Sequence, residues 1–250
     1  MSRRVLFCGI LIATGLGGTA SAASCDLVAP FHYEYQNDVA ASLLPSTDGS
    51  GHCALSVSTS PTSRSVAAGV IHYRRPSPLK TVRYGFRLDM SALGSGTAAH
   101  TIQVFSAASP IVAALPLPQS NILSILLTDG TTPSLRFVAA SDGVPVQKIQ
   151  SLSQPVNVIR VEISVGAGSS GKVSYWINHN FSDTPDGVIE KSTGMGLNNV
   201  AFLGVIGAAV GLSSPSASFR ASHAGEAIVV DQLESDDDIL FYDDFSSGAQ

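Results

Sequence analysis

The sequence predicts an all-β protein, an antiparallel sandwich of two sheets, and three observations carry that prediction. Only 13% of the 250 residues are charged while glycine numbers 23 and proline 13, a balance that suits short strands and tight turns better than charged-surfaced helices. Apolar and polar side chains alternate over many short windows, the period-two signature of a half-buried strand. Turn dipeptides fall between those windows: Asp48-Gly49, Asp129-Gly130, Asp142-Gly143, Asp186-Gly187 and Ser214-Pro215. The windows give about twelve to fourteen strands and no amphipathic helix longer than about two turns. A repeat of fixed period, which a propeller or solenoid needs, does not occur.

Taken in order, residues 1–22 read as a secretory signal peptide. Arg3 and Arg4 precede an apolar run from Val5 to Leu16, and Ala20-Ser21-Ala22 supplies the A-x-A cleavage site. The apolar run is too short to span a bilayer, so the expectation is a periplasmic or extracellular protein with no membrane insertion after cleavage. Residues 23–245 then form one domain, with 246–250 a short tail, because no linker or composition shift divides them. Removal of Cys8 leaves Cys25 and Cys53, and an even pair in an oxidising compartment bonds. The alternative is a lipobox, Ala22-Ala23-Ser24-Cys25, with Cys25 lipidated. Net charge is −5, and −7 without Arg3 and Arg4, which argues against nucleic acid as a partner.

The clearest strand is Thr81 to Met90. Val82, Tyr84, Phe86, Leu88 and Met90 share one face, and Arg83, Arg87 and Asp89 the other. His52 to Thr59, Asn157 to Val165 and Ala227 to Leu233 alternate in the same way, as antiparallel sheets with one solvated side require. Asn121 to Leu127 and Val200 to Val210 are apolar on both faces and suit central strands. Leu240 and Tyr242 alternate with Ile239 and Phe241, a last strand expected to pair with 30–36.

The stretch after Val165 contains Gly166, Gly168 and Gly171, which fit G-x-G-x-x-G, and Gly166 to Lys172 fit the start of a P-loop. A dinucleotide fingerprint must open a helix, whose N-terminus holds the pyrophosphate. Here Val173, Tyr175 and Ile177 alternate instead, and the P-loop hydroxyl position is Val173. The glycines therefore predict a hairpin turn rather than a phosphate cradle.

That hairpin, a strand, a glycine-rich turn and then Lys172-Val173-Ser174-Tyr175-Trp176-Ile177-Asn178-His179, resembles the paired central strands of laminin-G-like and concanavalin A-like jelly rolls. Tyr84 to Asp89 resembles that superfamily's early core strand, Phe202 to Gly207 its "l-x-i-G" strand and Ile228 to Leu233 its closing strand. The resemblance covers most of residues 30–245 and implies a two-sheet antiparallel jelly-roll sandwich. The family often has Gly after the Asn; His179 stands there, so a longer turn is expected.

In such jelly rolls one sheet is concave and forms a glycan groove. On a strand from Val173 to His179, Trp176, Asn178 and Asn180 would point away from the core, so that the indole stacks on a sugar and the amides bond hydroxyls, with Arg87 nearby. The competing reading has Trp176 capped by a neighbouring loop. The acidic run Asp236, Asp237 and Asp238 offers hard oxygens for calcium, although Asp-x-Asp-x-Asp-Gly spacing is absent and a solvated turn is the plainer reading. No other cofactor is implied.

Enzymatic branches of this fold carry paired carboxylates on one strand face or a Tyr/His/Arg/Gln set. An E-x-D-x-E run is missing, and the second set has to be assembled from His100, Gln103, Arg87 and Tyr175. No His pair has metal-ligand spacing, and His72 and His179 read as strand-face residues. The expectation is thus a secreted, non-catalytic module for polysaccharide or a cell-surface glycan. A lyase or hydrolase of the same fold and a surface-assembly protein without small ligand are the alternatives.

Overall fold

A computed structural model of the protein describes residues 32–36, 40–45, 53–58, 68–94, 100–109, 120–141, 144–166, 171–190, 204–213 and 215–235. In chain order its elements are β1 (His32–Gln36), β2 (Ala40–Pro45), β3 (Cys53–Ser58), β4 (Ala68–Leu79), β5 (Thr81–Asp89), β6 (Thr101–Ser109) and β7 (Ser120–Thr128). There follow β8 (Ser134–Ala139), β9 (Val146–Ser151), β10 (Val156–Ser164), β11 (Lys172–Ile177), β12 (Gly187–Glu190), β13 (Val205–Ser213), α1 (Ala217–Ser222) and β14 (Ala227–Ser235). The strands form two antiparallel sheets of seven, ordered β1-β4-β13-β6-β7-β8-β9 and β12-β11-β10-β5-β14-β3-β2.

The alternating segments become the strands that face the core. In the second sheet Ile159, Val161 and Ile163 of β10 lie opposite Phe86, Tyr84 and Val82 of β5, and opposite Ile177, Tyr175 and Val173 of β11. The period of two puts all of these on one face, and every one except the partly covered Ile177 is buried. From the first sheet, Phe105 of β6 stacks on Phe86 at 5.6 Å and 6°, and Phe137 of β8 stacks on Tyr175 of β11 at 4.0 Å and 10°. These ring pairs join the two layers, and buried aromatics of this kind each remove on the order of 150–250 Å² from water.

The strands on either side of the glycine-rich stretch, β10 and β11, pair antiparallel as the expected hairpin requires. Ser164 pairs with Lys172, and β11 follows Gly171 where a nucleotide site needs a helix. Within the segment expected over 200–210, β13 is described from Val205, and residues 200–203 lie outside the described residues; Gly204 precedes the strand at φ +142°, where an added Cβ would run into the Leu79 carbonyl. β11 ends at Ile177, short of His179, because Asn178 turns the chain at φ +63°, a left-handed conformation that Asn tolerates. His179 is consequently an exposed loop residue and not a strand-face one. The longer turn expected there is the segment 178–186, which leads to β12.

Among the described residues no helix is long and apolar enough to cross a membrane. The leader 1–22, Cys25, the side chain of Cys53, the acidic run Asp236 to Asp238, the strand expected over 239–242 and the tail 246–250 lie outside the described residues.

Candidate functional site

The three residues expected to contact a ligand all belong to the second sheet or its margin, and each is engaged within the protein. Trp176 leaves β11 on the outer face, where segment 178–186 covers it to 4% exposure. Its Nε1–H donates to the Asp183 carbonyl at 2.8 Å, and Phe181 meets the indole edge-on at 5.2 Å. The geometry is that of a capped satellite core. Asn178 is spent on the turn: its N–H donates to Val158 O, its Oδ1 accepts from Val158 N, and its Nδ2 donates to Asn157 Oδ1.

Arg87 stands on β5 opposite Val158, donating Nη1 to both oxygens of Asp231 at 3.2 Å and Nη2 to Asp89 at 3.1 Å. Burial opposes the charge on Asp89, but the hydrogen bonds from Ser91 and the Arg87 guanidinium prevail and hold its carboxyl below the usual range. The same face carries Arg83–Glu162 at 2.8 Å and Arg160–Glu234 at 3.0 Å, with Phe181 lying 5.0 Å from the Arg83 guanidinium. Gly85 makes room for that second pair, since a Cβ there would meet Glu234 Oε2 at 2.6 Å.

The set weighed for lyase chemistry is dispersed. Tyr175 is buried in the core against Phe137, Arg87 is on the outer face of the second sheet, Gln103 is on β6 of the first sheet, and His100 is buried before β6.

His100 belongs instead to a cluster that local spacing does not reveal. Thr101 of β6 pairs with Thr128 of β7, so His100 and Asp129 are neighbours just beyond the same end of the hairpin. Asp129 N–H donates to the His100 carbonyl at 3.1 Å, and the His100 N–H donates back to Asp129 Oδ1. His100 Nδ1 lies 3.1 Å from Asp129 Oδ2.

The third member comes from the crossover between β13 and β14. Helix α1 is capped by Ser216, whose Oγ accepts from Phe219 N at 3.1 Å, and it ends at His223. Buried Phe219 packs against the rings of His223 and His100 at 4.6 and 6.3 Å. His223 Nε2 bonds Asp129 Oδ2, and its Nδ1 donates to Glu226 Oε2 at 2.6 Å; that oxygen also accepts Gly94 N–H at 2.8 Å.

Burial works against charge on both Asp129 and His223. The hydrogen bonds win: the His100 N–H and the two imidazoles hold Asp129 below its ordinary range, while Glu226 and Asp129 hold His223 above its own. Glu226 is lowered by His223 and the Gly94 N–H.

Asp129 also lines a cleft of about 320 Å³ at this end of the sandwich. Met90, Leu127 and Leu152 give it an apolar floor continuous with the core, and Thr131, Thr132, Ser153 and Gln154 form its polar margin. Such a mixture of apolar floor and convergent hydroxyl and amide groups is the usual make-up of a small-ligand site. In the sequence Asp129 stands only as the first residue of a turn dipeptide, and no histidine pair has metal-ligand spacing. The members of the cluster meet through strand pairing and a crossover rather than along one strand, which sequence spacing does not show.

No family model matches the sequence, and no curated protein sequence matches it. Among solved structures, the endo-β-1,4-glucuronan lyase of the fungus Trichoderma reesei superposes with a TM-score of 0.51 at 13% identity, over 81% of this chain and 88% of the lyase. The marine PL-14 alginate lyase of Aplysia kurodai superposes with a TM-score of 0.50 at 10% identity, over 83% and 89% of the two chains. An endo-1,3-β-glucanase of Streptomyces sioyaensis gives 0.47 at 12% identity, covering 84% and 89%. At these identities the likeness is one of fold: the chain is a concanavalin A-like jelly-roll sandwich.

Proposed function

We propose that the protein is a secreted, non-catalytic carbohydrate-binding module that acts outside the cytoplasm once residues 1–22 are removed. The observation that carries the reading is the cleft beside Asp129. A pyranose presents C–H faces and a rim of hydroxyls, and the cleft offers Met90, Leu127 and Leu152 beneath Thr131, Thr132, Ser153 and Gln154. Its volume of about 320 Å³ falls at the small end of ligand sites, roughly 300–1,000 Å³, and suits one or two sugar units. Two proteins of the same fold are named for polysaccharides, glucuronan and alginate, which supports an acidic glycan as the first class to try.

The engagement of Trp176, Asn178 and Arg87 in internal bonds favours the cleft over the outer face of the second sheet as the place of contact. The scattering of His100, Gln103, Arg87 and Tyr175 favours binding over lyase chemistry by that set.

The experiment is a glycan array with purified mature protein, run with and without EDTA, on wild type, Gln154→Ala and Trp176→Ala, alongside depolymerisation assays on alginate and glucuronan. Binding lost in Gln154→Ala and kept in folded Trp176→Ala supports the cleft. Chain cleavage replaces this reading with a lyase, and a blank array with self-association replaces it with a surface-assembly role.

A further inference from the structure

We propose that His100, Asp129 and His223 form a binding site for a divalent transition-metal ion, zinc by the character of its ligands. One donor atom from each of the three residues lies within 4.8 Å of the other two, so a single ion between them contacts all three after small movements of the side chains. All three residues are buried, at 9%, 6% and 1% exposure, and the elements that hold them are fixed by the β6–β7 pairing and by capped α1.

The surroundings match what a ligand set needs. A metal-bound imidazole donates its other ring N–H to a carboxylate, which fixes its tautomer, and His223 Nδ1 does this to Glu226 at 2.6 Å. Glu226 is itself held by the Gly94 N–H, and the free oxygen of the ligating carboxylate, Asp129 Oδ1, accepts the His100 N–H. With both rings neutral the two carboxylates and two imidazoles sum to −2, which a divalent cation cancels in a site of low dielectric.

Donor chemistry selects the ion. Two imidazoles and one carboxylate suit zinc or another first-row metal, whereas calcium takes six to eight oxygens. Three protein ligands leave a fourth position of the tetrahedron for water, and Asp129 also lines the adjoining cleft. The site uses none of the residues of the acidic run Asp236 to Asp238, and it does not depend on carbohydrate being the ligand of the cleft.

The test uses the mature full chain, stripped with chelator and dialysed, and titrated with zinc chloride and with cobalt chloride. The expected results are one zinc per chain, a rise in Tm with added zinc, and a visible cobalt spectrum of tetrahedral type. In His100→Ala and His223→Ala these should all disappear. Glu226→Gln alters a side chain one-third exposed and keeps the fold, so the proposal stays testable if the core variants fail to fold; it should bind zinc about 10–100-fold more weakly. Failure of the wild type to take up either metal, or an affinity unchanged in folded Glu226→Gln and His100→Ala, overturns the site and leaves the cluster a hydrogen-bonded His–Asp–His link.

Discussion

The ring of Tyr175 lies flat on that of Phe137, 4.0 Å between centroids, and this pair joins β11 of one sheet to β8 of the other. Truncating either ring opens a void between the layers. Phe137→Ala should lower stability by about 3–5 kcal/mol, and Phe137→Leu by markedly less, in urea titrations followed by fluorescence. A loss under about 1 kcal/mol for the alanine variant would mean the rings do not carry the layer contact.

Gly187 tests the same pair from behind. A Cβ at that partly covered position would collide with the ring and hydroxyl of buried Tyr175. Gly187→Ala should therefore cost about 1–3 kcal/mol by overpacking, while Gly225→Ala, where no atom lies within 4 Å but φ is +81°, pays only for its backbone. Equal thermal stabilities of wild type and Gly187→Ala would contradict the placement of Tyr175.

Much of this architecture was legible in the sequence, because period-two alternation and turn dipeptides report the environment of each residue locally. β5, β10 and β14 follow from it almost to the residue. What alternation cannot report is which loop folds over an outward-facing side chain. Trp176 is outward by parity and buried by the segment that Asn178 starts, so parity alone suggests a sugar platform. The His100, Asp129 and His223 cluster was invisible for a related reason: its residues are 29 and 94 positions apart, and only the strand pairing of β6 with β7 and the crossover through α1 unite them. An aspartate directly after an apolar strand, together with a histidine directly before another, was the one available signal.

Trp176 is the sole tryptophan, so its fluorescence reports its own surroundings. A covered indole bonded to Asp183 should emit in the blue when folded, shift to the red on unfolding, and stay unchanged on adding glycan. Trp176→Ala should cost about 3–5 kcal/mol and leave glycan affinity intact in the folded fraction. Quenching by a bound sugar, or affinity lost at unchanged stability, would restore the indole as a contact.

Acid should loosen the Arg87, Asp89 and Asp231 ladder. The carboxyl of Asp89 titrates lower in the folded chain than in the unfolded one, near 4. Its contribution is therefore complete above that unfolded value and is lost as pH falls through the folded one. The stability gap between wild type and Asp89→Asn should be constant near neutrality and shrink as pH drops below about 4. A gap independent of pH would show that Asp89 gains nothing from its partners.

The pairing expected of Cys25 with Cys53 has a direct readout. Thiol titration of the unfolded, unreduced mature protein should detect no free cysteine, and reduction should lower stability by about 3–4 kcal/mol. One lipid-modified cysteine and one free thiol would instead establish the lipobox.

Amide chemical-shift mapping by NMR, with the best glycan from the array titrated into the isotope-labelled mature protein, tests the account most directly. It predicts movement of Thr131, Thr132, Ser153 and Gln154, with the segment 176–183 still. Shifts confined to that segment, or none at saturating glycan, would contradict it.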